Sequence, residues 1–185
     1  MKITTFIGSS RKESNSELLA DIVTKEVEHQ KIDLKDLSIQ PIHDLRHADG
    51  GFQLVDDDYD VIIKALLESD TVIFSTPIYW YTMSGIMKNM IDRLSQAIRD
   101  ERFPQLTEHL QTVEAIVLAV GGDDPKIKGL PLIQQFQYTF DFLNMRFSTY
   151  ILGEGNRPGD ILQDEQALVQ ADLLNKRLKE RQPSA

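Results

Sequence analysis

A short segment near the amino terminus, residues 8–17, concentrates the side chains that bind anions. It supplies four hydroxyl groups, one amide, two cations and the backbone N–H groups of a predicted helix start. Hydroxyl and N–H groups donate hydrogen bonds in several directions, while arginine and the helix dipole add positive potential. The set predicts a site for a phosphate monoester, and its members are Ser9, Arg11, Ser14, Asn15 and Ser16.

The same segment has a plainer interpretation as a helix cap. Ser14 and Glu17 have the spacing of a capping box, in which the serine caps the helix and the glutamate reaches back to it. Capping explains neither Ser9 nor Arg11, so phosphate binding is favoured. The segment lacks both G-x-G-x-x-G and G-x-x-x-x-G-K-[ST], which disfavours a dinucleotide Rossmann site and a P-loop.

Two further segments carry residues suited to a flat ligand. Residues 75–85 contain Tyr79, Trp80 and Tyr81 beside a proline, and exposed aromatic rings are costly unless an apolar surface covers them. The alternative is that these rings pack on helices of the same domain or on another subunit. Gly121 and Gly122 would let a ligand approach the backbone closely, although such a pair is also typical of a simple turn.

The elements that must position these segments alternate between apolar runs and helical patterns. This alternation predicts an α/β fold with a parallel sheet. Residues 71–74 and 115–120 are continuously apolar, as in strands covered by helices on both faces. The predicted strands are 2–7, 32–37, 71–75, 113–120 and 147–152, and the predicted helices are 17–29, 60–67, 83–98, 134–143 and 165–178.

Five such units without a repeat predict a doubly wound, five-stranded parallel sheet of flavodoxin-like strand order 2-1-3-4-5. In such a sheet ligands bind beyond the carboxyl ends of the strands, where all three segments would meet. Residues 1–181 are predicted to form a single domain, and residues 182–185 a frayed tail. The polar stretch 40–58 is expected to be a long connection.

Composition excludes several classes of function. The net charge of −9 disfavours nucleic-acid binding, and the absence of cysteine excludes disulfides, thiolate metal sites and cysteine-ligated iron–sulfur clusters. The longest apolar run, residues 115–120, is too short to span a membrane. The amino terminus lacks the features of a secretion signal, so we expect a cytoplasmic protein without a nucleic-acid or membrane partner.

Other candidate sites have simpler explanations. His43 and His47 have the spacing of metal ligands, but neighbouring proline and glycine residues favour a solvated loop, and no metal site is predicted. The acidic run 56–60 is interpreted as the solvated start of a helix. The Met83, Met87 and Met90 stripe is expected to be core or a subunit interface. No G-x-S-x-G elbow of a serine hydrolase is present.

Taken together, several motifs resemble the NAD(P)H-dependent FMN reductase family, most closely a cluster-free branch of the iron–sulfur flavoproteins. Where iron–sulfur members carry clustered cysteines, this chain has Pro41-Ile42-His43-Asp44-Leu45-Arg46-His47 instead. The motifs that carry the resemblance are Gly8-Ser9-Ser10-Arg11-Lys12 with Asn15-Ser16, Asp56-Asp57-Asp58 before Ser69-Asp70, Thr76-Pro77-Ile78-Tyr79-Trp80, Met83-Ser84-Gly85, Lys88 to Asp92-Arg93, and Arg157-Pro158-Gly159-Asp160.

The resemblance implies a flavodoxin-like fold that holds FMN at the strand ends. Ser9, Arg11, Ser14, Asn15 and Ser16 would hold the phosphate, and Gly121 and Gly122 would approach the isoalloxazine. It also implies a dimer contact near the flavin, so a homodimer or homotetramer is expected. The remaining implied contacts, along the ribityl chain and ring, are Pro77, Ile78, Tyr79, Trp80 and Met83.

The function that follows is an FMN-dependent oxidoreductase. NADPH or NADH would pass hydride to the flavin, and a small acceptor would take the electrons: a quinone, a nitro or azo compound, a ferric chelate or a free flavin. No side chain is assigned as catalytic, because the cofactor performs the difficult chemistry. One alternative is a flavodoxin-like electron carrier without nicotinamide turnover, and another is a phosphate-ligand sensor that kept the fold.

Overall fold

The computed structural model describes residues 1–182, which contain a central parallel sheet flanked by helices. The strands are β1 (Ile3–Ile7), β2 (Gln30–Asp33), β3 (Thr71–Tyr79), β4 (Thr82–Met83), β5 (Glu114–Gly121) and β6 (Arg146–Glu154). The helices are α1 (Asn15–Val23), α2 (Tyr59–Glu68), α3 (Gly85–Ala97), α4 (Leu106–Leu110), α5 (Pro125–Lys128), α6 (Leu130–Leu143) and α7 (Glu165–Arg181). Leu34–Asp36 and Asp160–Gln163 form short 3-10 helices.

The five long strands are parallel and lie in the order β2-β1-β3-β5-β6. Counted without the two-residue β4, this is the order 2-1-3-4-5, so the predicted flavodoxin-like fold is confirmed. β4 pairs antiparallel with the end of β3 and makes a hairpin there. The carboxyl ends of β1, β3, β5 and β6 therefore face the same side of the molecule, where ligands bind in such sheets.

Two hydrophobic cores lie on opposite faces of the sheet. Successive strand residues point to opposite faces, so Phe74 joins one core while the adjacent Ile73 joins the other. The core around Phe74 includes Phe136 and Phe140 of α6, whose rings lie 5.6 and 5.1 Å from its own. The second core packs α1 and α7 against the sheet. Coverage on both faces explains why the central strands are continuously apolar.

Strand β2 occupies residues 30–33, so the prediction of residues 32–37 is wrong at both ends. Its register pairs Gln30 with Thr4 and Asp33 with Ile7, the last residue of β1. Because β1 ends there, the chain after Asp33 has no strand to pair with, and it folds into a 3-10 helix.

Strand β3 continues to Tyr79, four residues beyond its predicted end. β5 is long enough to pair with Thr76 and Pro77, and the hairpin pairs the last two residues. Helix α1 ends at Val23, well before the predicted His29, because the chain turns at Glu26 with a φ of +58°. Helices α4 and α5 were missed, since five and four residues are too few to show a helical period.

The long connection before α2 is held at its base by a buried ion pair. Arg93 of α3 pairs with Asp57 at 2.5 Å and donates to the Gln40 carbonyl at 2.8 Å. The Asp57 side chain is completely buried, so the prediction of a solvated acidic run is wrong for this member. Burial would raise the pKa of Asp57, but the hydrogen bonds from Arg93 and from the Gln40 and Tyr59 N–H groups outweigh it and lower that pKa.

The described chain ends with Gln182, the first residue of the predicted tail. Its side-chain amide donates to the Met1 carbonyl at 3.1 Å and to the Glu28 carbonyl at 2.7 Å. Residues 183–185 of the predicted tail lie outside the described residues.

Candidate functional site

The β1–α1 loop, residues 8–14, is organised by the hydroxyl group of Ser9. Ser9 is buried, and its Oγ accepts a hydrogen bond from the Arg11 N–H at 3.2 Å. The Arg11 side chain itself is exposed, and Glu13 takes a φ of +50° before the helix begins. The loop therefore turns Ser9 inward and leaves the guanidinium at the surface.

The start of α1 is capped as predicted. The Ser14 Oγ accepts a hydrogen bond from the Glu17 N–H at 3.2 Å and lies 3.2 Å from the Ser16 Oγ. The reciprocal half of the capping box is not formed, since Glu17 Oε1 pairs with Lys31 at 2.9 Å and Oε2 is buried without a partner. Within residues 1–182, the N–H groups of Asn15 and Ser16 meet no acceptor, as expected in a first helical turn.

Asn15, the first residue of α1, uses its side chain to bind the chain after β6. Its amide donates to the Arg157 carbonyl at 2.8 Å and accepts from the Ile161 N–H at 3.4 Å. The residue is only 4% exposed. Its side chain is thus used to hold the chain after β6, and its backbone N–H is the group that remains for a ligand at the α1 start.

Hydrogen bonds fix the β1–α1 loop to β3 and α3. The Gly8 N–H donates to the Ser75 carbonyl at 2.7 Å, and the Ser84 hydroxyl donates to the Gly8 carbonyl at 2.5 Å. The Ser75 hydroxyl donates to the Ser16 carbonyl at 2.8 Å. A Cβ on Gly8 would lie 2.9 Å from the Met87 Cβ, so only glycine fits this close approach. The loop is therefore built rigidly onto the sheet.

The β3–β4 hairpin carries the aromatic residues to the same side of the sheet. Trp80 and Tyr81 form its two-residue tip with φ values of +50° and +64°, the sign pattern of a type I′ turn. Bulky residues rarely adopt positive φ, and such strain is found at functional sites. Tyr79 and Tyr81 are about half exposed, and Trp80 is 92% exposed. The alternative of intramolecular packing therefore fails for Trp80.

Gly121, the last residue of β5, and Gly122 directly after it lie beside this hairpin. Gly121 approaches Ile78 so closely that an added Cβ would lie 3.1 Å from the Ile78 Cβ, and one on Gly122 would lie 2.8 Å from the Asn156 Cβ. Their missing side chains thus make room for neighbouring residues of the chain. A cavity of about 140 Å³ opens between these glycines and the tip residues Trp80 and Tyr81.

A carboxylate links the hairpin tip to the loop after β5. Asp123 accepts a hydrogen bond from the Tyr81 hydroxyl at 2.9 Å and pairs with Lys128 at 2.6 Å. The hydrogen bond from Lys128, followed by that from Tyr81, lowers the pKa of Asp123. The three side chains form a solvated bridge across one side of the cavity.

The remaining predicted residues have mixed positions. Pro77 and Ile78 are half-buried near the carboxyl end of β3, next to the glycines. Met83 is buried in the core around Phe74, together with Met87 and Met90, so the core interpretation of the methionine stripe is confirmed. Met83 is 3% exposed.

Sequence reasoning missed three residues that the fold brings to this region. Lys128 reaches the cavity from α5, Asn156 packs on Gly122, and Arg157 is held at the α1 start by Asn15. The Arg157-Pro158-Gly159-Asp160 segment was recognisable by resemblance, but its place in the site depends on contacts across more than 140 positions of the chain.

Other kinds of site find no support in the part of the chain that the structure describes. No group of three or more His, Cys, Asp or Glu residues is placed to hold a metal ion there, and His43 and His47 are exposed. None of the helices in residues 1–182 is long and apolar enough to cross a membrane.

The arrangement suits a ligand with an anionic end and a flat aromatic end. The α1 start offers N–H groups without acceptors, and none of the ion pairs among residues 1–182 involves Arg11 or Lys12. The exposed ring of Trp80 and the cavity beside it supply an aromatic surface at the neighbouring strand end. These features match the two chemical ends of a flavin mononucleotide.

Comparison with known proteins agrees with this arrangement. The family model described as NADPH-dependent FMN reductase matches residues 1–145. The chain is 53% identical over 177 residues to the NAD(P)H-dependent FMN-containing oxidoreductase YwqN of Bacillus subtilis, covering 96% of this chain and 98% of that protein.

Two solved structures are similar along almost the whole chain. The Trp repressor binding protein of Bacillus subtilis has 44% sequence identity and a TM-score of 0.78, with 93% of this chain and 96% of that chain covered. An FMN-dependent NADH-azoreductase of Bacillus anthracis, in complex with FMN, has 14% identity and a TM-score of 0.70, with 96% and 99% covered. The second likeness is one of fold.

Proposed function

This chain belongs to the family of NADPH-dependent FMN reductases, and on that premise we propose which of its residues hold the cofactor and its substrates. It is an NAD(P)H-dependent FMN oxidoreductase with FMN as its cofactor. The single observation that carries the residue assignment is the α1 start, where the N–H groups of Asn15 and Ser16 meet no acceptor within residues 1–182 and the nearby Arg11 forms no ion pair with any of them.

The β1–α1 loop and the α1 start bind the phosphate of FMN. Arg11 supplies a charge-assisted hydrogen bond, and the N–H groups of Asn15 and Ser16 point along the helix dipole. Ser9 shapes the loop through its bond to the Arg11 N–H. The Ser14 and Ser16 hydroxyl groups lie 3.2 Å apart and are both available to rotate toward an ester oxygen.

The hairpin and the two glycines hold the remainder of the cofactor. Pro77 and Ile78 lie along the ribityl chain, while Tyr79 and Trp80 contact the flavin ring. Gly121 and Gly122 bring the β5 backbone close to that ring from the other side, with Ile78 already packed against Gly121. Met83 supports the hairpin from the core and makes no direct contact.

When bound, FMN would supply the redox chemistry, which is hydride acceptance from NADPH or NADH and electron donation to a second substrate. The residues of the chain bind and orient it, and the strained hairpin presents its rings at the carboxyl ends of the strands. Asp123 holds the hairpin tip through Tyr81, which limits the motion of Trp80. No side chain is assigned as an acid or base.

The acceptor is a small molecule that can lie on an open aromatic surface. The exposed Trp80 ring and the solvent-facing cavity leave room for planar acceptors such as quinones, nitro or azo compounds and free flavin, and for ferric chelates. Both substrates would use the same face of the cofactor. We therefore propose alternate binding of nicotinamide and acceptor, with ping-pong kinetics.

We further propose that the protein acts as a homodimer, or as a homotetramer built from such dimers. Tyr138 and Phe142 of α6 are about 70% exposed beside an apolar groove against α3. Lys88 and Asp92 form an exposed ion pair at this groove, so a two-fold axis passing between them would bring Lys88 of each protomer close to Asp92 of the other. Phe142→Ser should lower the mass measured by light scattering, whereas an unchanged mass would place the contact elsewhere.

The proposal also includes a cytoplasmic location, and residues 1–181 as a single FMN-binding domain. NADPH and NADH are cytoplasmic reductants, which fits a chain without cysteine.

An anaerobic titration tests the proposed function. NADPH or NADH is added to the FMN-loaded protein, and near-stoichiometric bleaching of the flavin absorption band is expected within seconds to minutes. Addition of a quinone should then restore the band. A solution that stays yellow with both nicotinamides would contradict the proposal and favour an electron carrier.

A further inference from the structure

The β6–α7 loop, residues 155–161, contacts the proposed cofactor site at two points. At one point Asn15 binds the Arg157 carbonyl and the Ile161 N–H. At the other, Asn156 packs on Gly122 so closely that a Cβ at that glycine would lie 2.8 Å from the Asn156 Cβ. The loop therefore reaches from the helix that binds the phosphate to the glycines that approach the ring.

Several features fix the backbone of this loop. A Cβ on Gly155 would lie 2.8 Å from the Asn15 Nδ2, so glycine is needed for the contact with Asn15. The Asp160 carboxylate accepts hydrogen bonds from the N–H groups of Asn156 and Arg157 at 3.1 and 2.6 Å. The Gly155 N–H donates to the Gly121 carbonyl at 2.9 Å. The position of the Arg157 backbone beside the α1 start is thus set by the fold.

The Arg157 side chain is exposed at this position, and no ion pair among residues 1–182 includes it. An FMN phosphate carries nearly two negative charges at neutral pH. Arg11 offsets one charge and the helix dipole about half of another. Glu154 directly before the loop and Asp160 within it add negative potential, which a second cation on this side of the phosphate would offset.

We propose that Arg157 is a second phosphate-binding cation for FMN, and that Asn15 is the positioning residue that places it. The inference rests on the proposed function only in that the α1 start holds the phosphate. The phosphate is then bound from two sides, by Arg11 from the β1–α1 loop and by Arg157 from the β6–α7 loop. Asn15 contributes through its side chain to the second of these and through its N–H to the helix start.

The test compares FMN with riboflavin, which lacks the phosphate. In Arg157→Ala the dissociation constant of FMN, measured by fluorescence quenching on the apoprotein, should rise about tenfold, as expected for a lost bond to a charged group. The affinity for riboflavin should stay within twofold, and Arg157→Lys should recover part of the loss. The matched control is Arg99→Ala, which removes an exposed arginine just after α3 that donates to the Ser95 carbonyl of that helix.

Asn15→Ala tests the positioning role. Circular dichroism first confirms that the variant is folded, and the effect of Arg157→Ala should then be at least threefold smaller in the Asn15→Ala background. Equal losses for FMN and riboflavin, or an unchanged FMN affinity in Arg157→Ala, would overturn the inference. If the wild-type protein bound FMN no better than riboflavin, the proposed phosphate site itself would fail, which is a different result.

Discussion

Arginines gather at both ends of the sheet, and the two groups differ in what they bind. At the amino end of β5, the carboxylate of Glu114 is 4% exposed and pairs with Arg146, Arg177 and Arg181, with distances of 3.1 and 3.0 Å for the first two. At the carboxyl ends, Arg11 and Arg157 are exposed around the start of α1. One group surrounds a buried carboxylate of the chain, and the other faces solvent.

The difference shows which charges serve the fold and which serve a ligand. Burying a carboxylate costs several kcal/mol of folding free energy unless cations and hydrogen bonds surround it. The three arginines therefore serve to stabilise the buried carboxylate of Glu114. The α1 start differs, because the one carboxylate in its first turn, that of Glu17, pairs with Lys31. The N–H groups of Asn15 and Ser16 and the Arg11 side chain have no anionic partner among the described residues. An anionic ligand would supply that partner. The two regions should therefore respond differently to the same kind of mutation.

The largest expected effect is on the paired region. Glu114→Gln should lower the free energy of unfolding by about 3 kcal/mol, at the low end for a broken buried pair because the three arginines are partly exposed. Urea unfolding followed by circular dichroism measures it. Glu108→Gln, at an exposed position, should change stability by less than about 0.5 kcal/mol. A loss of FMN affinity in folded Glu114→Gln would break the comparison.

The open region should show the reverse pattern. Arg11→Ala should weaken FMN binding by about 1.5 to 3 kcal/mol, because a hydrogen bond to a charged group is lost. The free energy of unfolding of the apoprotein should change by less than about 0.5 kcal/mol, since the side chain is exposed. Fluorescence titration and urea unfolding of the same sample check both halves. Unchanged FMN affinity would remove Arg11 from the site.

The smallest expected effect is a difference in pH dependence between the stability that Glu114 contributes and the affinity for FMN. Burial would raise the pKa of Glu114, but hydrogen bonds from Ser148 and Arg181 lower it overall. Its stabilising contribution is therefore complete above the unfolded value of about 4.3 and is lost as pH falls through the lower folded pKa. FMN affinity should fall earlier, below the phosphate pKa of about 6, by about 1.4 kcal/mol per unit.

Titrations between pH 7 and pH 3.5 check this separation. Binding should weaken while the apoprotein remains fully stable near pH 5. If binding and stability were lost over the same pH range, unfolding of the protein would explain the loss of FMN affinity, and protonation of the phosphate would not.

Patterns along the chain were enough to predict the five long strands and their order. They also predicted that the three candidate loops would follow neighbouring strand ends. The continuous apolar run of β5 and the period of α3 are local signals, and strand order follows from general rules of connection. The bounds of β2 and β3 were wrong because they depend on how far a neighbouring strand extends. The sequence pattern within a strand carries no information about the length of the neighbouring strand.

The partners of polar side chains were the least predictable part. Asn15 was assigned to the phosphate, yet its amide binds Arg157, which lies 142 positions away. Glu17 pairs with Lys31 instead of closing the capping box, and Asp57 is buried against Arg93. In each case the side chain binds a partner that is distant in sequence and that the fold places within hydrogen-bond distance. A local sequence motif does not contain that information.

The Trp80-Tyr81 tip has a consequence for engineering the protein. A two-residue turn of this geometry is made most cheaply by asparagine and glycine, and each bulky residue at positive φ costs about 1 kcal/mol or more. Replacing Trp80 and Tyr81 with Asn and Gly should therefore raise the stability of the protein and remove two aromatic rings that could bind a dye or a quinone. At these two positions, a gain in thermal stability is therefore expected to lower the affinity for planar compounds.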